Sequence, residues 1–305
     1  MAGVAIEGTR VLPEPGPAGT AASPASEVAV TAADTDQRLI ELWLYGRAKR
    51  TQRAYQADIA AFNRFVQKPL RQLTLGELQS YQDSLQHLAT ASQARRLSSI
   101  KSLLSFGQKT GYLTLNVGAA IFLPKIKQRL AERILAEDDV LRMLTLERNT
   151  RNRALLRLLY LGGLRISELC ELRVRDLVAR EDAGQITVFG KGGNTRAVLL
   201  KASMWQELTL FRSADPDAPV FRSRNGGSAL RHVMVHYIVK KAAARAGLSA
   251  AVSAHWLRHA HVSHALDRGA PAHLVQATVG HANLSTTSKY AHARPSDSSS
   301  RYLPG

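Results

Sequence analysis

The chain has 305 residues, 45% of them hydrophobic and 21% charged, an ordinary globular balance with room for two domains. Its 41 Lys and Arg outweigh 24 Asp and Glu, a net charge of +17 that suits a polyanionic partner, the plain alternative being a solvated basic surface. One cysteine, Cys170, excludes an intrachain disulfide and a Cys-rich metal centre, and between Leu169 and Leu172 it reads as a core position. No apolar run approaches the roughly 18 residues of a membrane span. The N-terminus has no basic segment leading into an apolar one, so a cytoplasmic protein is expected.

Residues 1–34 are rich in Ala, Gly, Pro and Thr, show no periodicity, and are expected to form a disordered tail. The remaining residues carry 40 basic and 20 acidic side chains, so the positive charge belongs to the folded part. From Asp36 the pattern turns helical. Leu39, Leu42 and Trp43 share one face. Tyr55, Ile59, Phe62 and Val66 recur at spacings of four, three and four. Thr74 and Glu77 have the spacing of a capping box. A fourth helix runs from about Ser92 and stops at Gly111. These predict a small all-helical domain over 35–114. Lys49, Arg50, Arg53, Arg95, Arg96, Lys101 and Lys109 decorate it. Singly each reads as a solvated helix position; as a set they read as a nucleic-acid-facing side.

Residues 115–134 combine Gly and Pro with several Lys and Arg and read as a basic linker. Helices are predicted at 136–147 and 150–161, the second broken by Gly162-Gly163. Two β-rich runs flank Gly-Lys-Gly-Gly-Asn within 185–200, a hairpin pattern. Helices return at 202–212, 228–246, 254–268, 271–279 and about 284–292. The fold class is therefore mainly α with a small antiparallel sheet, and the second domain spans 135–293. Residues 294–305 read as a short polar tail.

Four stretches of the second domain carry unusual chemistry. Arg165 follows the glycine pair, and Glu168, three residues on, can orient its guanidinium; a surface ion pair is the bland reading. Lys191 sits on the glycine-rich hairpin turn, which lacks the G-x-x-x-x-G-K-[ST] pattern of a phosphate loop. In "SAHWLRHAHVSHAL", His255 and Arg258 share a helical face with His259. Histidines at i and i+4 raise a zinc alternative, but no acidic ligand, HExxH or thiolate accompanies them. His261 and His264 fit structural roles. Last comes "VGHANLSTTSKYAH". On one straight helix His281 and Tyr290 would lie about 13 Å apart on opposite faces. Gly280, Ala282 and Asn283 offer a turn instead, with Asn283 as N-cap, so that both can converge.

These residue types add up to phosphodiester chemistry. Two arginines can grip non-bridging oxygens, histidines can donate hydrogen bonds or move a proton, a lysine can protonate an alkoxide, and a tyrosine can attack phosphorus. Fixed cations take the electrostatic role that a metal would otherwise fill, so no cofactor or metal is expected. Arg165, Lys191, the H-x-x-R of His255 and Arg258, His281 and Tyr290, in that order over about 125 residues, resemble the tyrosine recombinase (phage integrase) family in its simple, Xer-like form.

The resemblance covers most of 36–293. It implies a two-domain DNA clamp, made of a helical SAM-like core-binding domain and an α+β catalytic domain. It also implies site-specific cleavage and rejoining of double-stranded DNA at inverted half-sites, through a 3′-phosphotyrosine on Tyr290, without metal or ATP. A homotetramer on two duplexes and a nucleoid-associated cytoplasmic location follow from it. In that scheme Arg165, Arg258, His255 and His281 serve the transition state, Lys191 is the acid and Glu168 the orienting group. The polar Ser-Thr-Thr-Ser run at 285–288 becomes a segment that presents the nucleophile rather than a packing helix. Alternatives are relaxation of supercoils by a type IB topoisomerase-like cycle, and a DNA-binding protein without catalysis. The sequence leaves open whether a second recombinase or an accessory DNA-bending protein takes part. Tyr237, among apolar neighbours, reads as a core residue.

Overall fold

The computed structural model describes residues 33–127, 129–181, 183–190, 193, 195–224 and 227–293. The expected tails at 1–34 and 294–305 lie almost wholly outside them. The chain divides into two compact units at residues 127 and 128.

The first unit contains α1 (Asp36–Leu44), α2 (Lys49–Val66), α3 (Leu75–Ser84) and α4 (Thr90–Lys109). The apolar stripes of the sequence meet in one core, where Leu39, Trp43, Ile59, Phe62, Leu78, Leu97, Leu103 and Leu104 are all buried. Thr74 donates its backbone N–H to Glu77 at 2.9 Å, so the predicted capping box starts α3. Gly111, at φ +77, lets the chain turn away after α4.

The cations of this unit fall into two groups. Lys49, Arg50 and Arg53 are exposed on the opening turns of α2, which carries no acidic residue in its first turn. Arg95, Arg96 and Lys101 depart from the expectation of a freely presented basic face. Arg95 grips the buried Asp58, its Nη2 lying 2.9 Å from Oδ1. Arg96 is half-buried, with its Nε shielded from solvent. Lys101 donates to the carbonyls of Gly118 (2.6 Å), Ala119 and Ile121. A lysine that holds three carbonyls is a staple for the segment after α4. That segment, read from sequence as linker, forms a 3-10 turn at Val117–Ala120 and buries Ile121 in the first unit's core.

The second unit is built on α5 (Glu137–Thr145), α6 (Thr150–Leu161), α7 (Ile166–Glu171), β1 (Leu177–Arg180), β2 (Ala183–Phe189), β3 (Thr195–Leu200), α8 (Ala202–Thr209), α9 (His232–Arg245), α10 (Ala254–Asp267), α11 (Ala272–Val279) and α12 (Leu284–Ala293). Helix α6 is central, with Ala154, Leu155, Leu156, Leu158 and Leu159 all buried. The sheet is antiparallel in the order β1-β2-β3, with Gly184 opposite Leu200 and Phe189 opposite Thr195. Its inward side chains Ile186, Val188, Val198 and Leu200 join the core of α6 and α8. Gly184 lets Trp205 of α8 lie flat on the sheet, since a Cβ there would sit 2.0 Å from the indole.

Several expectations are corrected. The hairpin has a third strand, β1, whose four residues are too short for a period-2 pattern to show. The helix expected from 228 begins at His232, because Leu230 donates to the carbonyl of Phe221 and Ala229 bridges Arg222 in extended form. Tyr237 is exposed: the buried positions of α9 are Val235, Ile238, Val239, Ala242 and Ala243, and residue 237 falls on the other face. Helix α12 does pack, lying against α10 and α11. Cys170 is in the core, where burial pushes its thiol up to about 11. No helix among the described residues is long and apolar enough to cross a membrane.

Candidate active site

Arg165 is the N-cap residue of α7, and Glu168 stands at the third position of that helix. The chain reaches them through Gly163, at φ +58, where a Cβ would fall 2.8 Å from Val279 and 2.9 Å from the His261 ring. Glycine is what fits there, and its carbonyl accepts from Arg258 Nη1 at 2.5 Å.

Glu168 is buried and is held from two elements. It accepts from Arg165 Nη1 at 2.7 Å and from the Arg165 backbone N–H at 2.8 Å. Arg196 of β3 clasps both its oxygens, at 2.9 and 2.8 Å. Burial alone would raise the carboxyl's pKa. The hydrogen bonds of Arg196 and Arg165 outweigh it and hold the group below the ordinary value. The pair of Arg165 with Glu168 is therefore a half-buried orienting contact rather than a loose surface pair.

Three arginines then converge on the last turn of α11. Arg196 Nε donates to the carbonyl of Thr278 at 2.7 Å, Arg258 Nη2 to that of Val279 at 2.6 Å, and Arg165 Nη2 to that of Gly280 at 3.1 Å. Three successive carbonyls at the negative end of a helix thus seat three guanidiniums. Arg258 is only 2% exposed. Burial, followed by the charge of Arg165, pushes it down to about 10, so it stays cationic at neutral pH. Two of its five donor hydrogens are engaged by carbonyls, which leaves three for another acceptor.

The histidines and the tyrosine close the site. His281 lies in the turn between α11 and α12, and Asn283 Oδ1 accepts the backbone N–H of Ser285 at 3.0 Å as the N-cap reading requires. The His281 Nδ1 is 3.0 Å from Thr287 Oγ1, and its ring stacks on that of Tyr290 with centroids 6.2 Å apart. Tyr290 is 5% exposed and packs with Ile134, Val262, Val275 and Val279. Its Oη lies 2.6 Å from His259 Nδ1, and the His259 ring is 4.4 Å from that of His255. Burial, helped by Arg258, lowers the pKa of His255. Burial and neighbouring cations hold His259 and His281 down at about 4, so all three imidazoles favour the neutral form. Burial raises the Tyr290 phenol, and Arg258 opposes that shift.

Arg165, Glu168, His255, Arg258, His281 and Tyr290 are thus brought together; Lys191 lies outside the described residues. His264 has the structural role expected, with Nδ1 2.9 Å from Tyr160 Oη and Nε2 3.0 Å from the carbonyl of Leu135. Among the described residues, no three His, Cys, Asp or Glu side chains form a group that could hold a metal ion. Arg196 and Thr287 escape a reading by sequence motif, and His259 is visible there only on the shared face of His255 and Arg258 and as the i+4 partner in the zinc alternative. A signal for Arg196 does exist, since it alternates with Val198 and Leu200 on the inward side of β3.

Residues 133–297 match the phage integrase family, and residues 37–109 match the N-terminal SAM-like domain of phage integrases. The chain is 32% identical over 252 residues to tyrosine recombinase XerC of Xanthomonas campestris pv. campestris strain B100, covering 78% of this chain and 77% of that protein. It is 32% identical over 277 residues to tyrosine recombinase XerD of Shewanella oneidensis, covering 84% and 91%. In fold it is similar to lambda integrase, seen as a dimer bound to a COC′ core site (TM-score 0.70, 21% identity, 86% of this chain and 77% of that one). It is likewise similar to XerH bound to a palindromic difH substrate (TM-score 0.66, 22% identity, 85% and 82%). The chain belongs to the phage integrase family, as an Xer-like tyrosine recombinase.

Proposed function

We propose that the chain is a site-specific DNA recombinase that breaks and rejoins strands through Tyr290. The Tyr290 oxygen attacks the scissile phosphate, giving a 3′-phosphotyrosyl link and a free 5′-hydroxyl. Arg165 and Arg258 offset the charge that develops on the phosphorane, with His255 and His281 donating to it. Lys191 is the proposed acid for the departing 5′-oxygen. The 5′-hydroxyl of a partner strand then reverses the step, so the bond energy is kept and ATP is not needed.

The observation that carries this reading is the Tyr290 hydroxyl, held by His259 and close to His281 and Arg258, with Arg165 oriented by the buried Glu168. Exchange of both strands between two duplexes requires four cleavages. A homotetramer on paired inverted half-sites is therefore the proposed assembly. Lys49, Arg50 and Arg53 are proposed as phosphate contacts. Three cations at the positive end of a helix dipole are unfavourable unless an anion meets them.

A nicked suicide substrate carrying the chain's own site tests the assignment. Wild-type protein is expected to trap a covalent adduct that maps to the peptide holding Tyr290. Tyr290→Phe is expected to form none while binding the site normally. An adduct on another residue, or one that persists in the Phe variant, overturns it.

A further inference from the structure

We propose that His259 is a further catalytic residue of this site, the base that takes the phenol proton of Tyr290 in cleavage and returns it in rejoining. The proposal rests on Tyr290 being the nucleophile. Of the three histidines around the phenol, only His259 aims a ring nitrogen at its oxygen, Nδ1 lying 2.6 Å from Oη. His281 runs nearly parallel to the phenol ring, the planes 20° and the centroids 6.2 Å apart, and its Nδ1 is engaged by Thr287 Oγ1. His255 touches the edge of the His259 ring rather than the phenol.

His259 follows Arg258 directly on α10, so one rigid helix places the base and a phosphate-gripping group side by side. Both His259 and Tyr290 are buried, which keeps bulk water from competing for the proton. With its own proton on Nε2, the neutral imidazole presents Nδ1 as acceptor. During attack the Oη–P bond forms and the P–O5′ bond breaks. The phenol proton passes to Nδ1, giving an imidazolium, and the 5′-oxygen takes its proton from the acid. Rejoining runs the same transfers backwards. Burial, then His255 and the charges of Arg133 and Arg258, disfavours the imidazolium in the free protein. An anionic diester seated between the arginines offsets the arginine charges and makes the base stronger when it is needed.

The test separates proton transfer from positioning. His259→Asn keeps a hydrogen-bonding group near the Nδ1 position but cannot carry a proton. Its single-turnover cleavage of the nicked substrate is expected to fall by about 10²–10⁴-fold. A DNA 3′-phosphate esterified to p-nitrophenol carries a leaving group that departs without a proton. The variant is expected to join that ester to a 5′-hydroxyl within about threefold of wild type. Cleavage near the wild-type rate, or equal losses in both reactions, overturns the proposal. Site affinity and the melting temperature establish that the variant is folded.

A second measurement uses the wild-type protein. A 5′-bridging sulfur at the scissile position removes the need for a leaving-group proton. A solvent deuterium isotope effect on cleavage is then expected to remain, and its absence overturns the proposal. If wild-type protein forms no adduct on Tyr290, the proposed function fails as well. An adduct together with an unimpaired Asn variant overturns the role of His259 alone.

Discussion

Arg196 touches neither the phenol nor any residue proposed to grip the phosphate, yet three parts of the site hang on it. It clasps both oxygens of Glu168 and holds the carbonyl of Thr278, and Glu168 in turn aims Arg165. Removing it leaves a buried carboxylate short of its main partner, a loss of the kind that costs about 3–5 kcal/mol when one half of a buried pair is deleted. Arg196→Gln is therefore expected to lower the melting temperature and to slow cleavage at saturating DNA at least about tenfold, because a freed Glu168 no longer fixes Arg165. Arg196→Lys keeps the charge but not the two-pronged contact, so it should recover stability better than rate. Cleavage rates that track stability across both variants would mean Arg196 is a structural brace only. Arg165, His255, Arg258, His281 and Tyr290 stand out in the sequence by type and order. Arg196, Thr287 and His259 do not, because their work is to hold or serve another side chain, and that relation is written in three dimensions.

Helices were legible wherever an apolar stripe persisted over three turns, as in α2 and α6. Strand β1 and the late start of α9 were not, since β1 is only four residues long and residues 229 and 230 are held extended by backbone pairing with Arg222 and Phe221. Helix α12 misleads for another reason. Its Ser-Thr-Thr-Ser run looks solvated, but Thr287 is fully buried against His281, and Tyr290 completes the seam with α10 and α11. The sheet offers a direct test of element packing. Gly184→Val would drive a side chain into Trp205, which otherwise meets the strand at van der Waals range. Overpacking of this sort costs roughly 1–3 kcal/mol. Thermal unfolding should fall accordingly, and an unchanged midpoint would show that α8 can slide on the sheet. Arg196 lies on the adjacent strand, so the same variant should also lose cleavage activity.

Across the molecule, the buried histidines make stability depend on pH. His259, His261 and His281 are held at about 4 in the folded chain, against 6.5 for an ordinary imidazole. Between those values the unfolded chain binds more protons, so their contribution is complete above 6.5 and is lost as pH falls towards 4. Melting temperatures from neutral pH down to about 4.5 should decline through that window; a flat profile would contradict the burial of these rings. Affinity for the DNA site should fall steeply between roughly 50 and 200 mM salt, through counterions released by surface cations. Salt-independent binding would remove DNA as the partner. The seat of Arg165, Arg196 and Arg258 on the last carbonyls of α11 bears on that slope. Before DNA arrives Glu168 already offsets one of these three guanidinium charges. The cations that phosphate contacts release from the DNA follow the protein's net charge, so this site sheds fewer of them than its three arginines suggest. The catalytic arginines should therefore weigh more on the rate than on the salt slope, whereas charge removal at Lys49, Arg50 and Arg53 should flatten it.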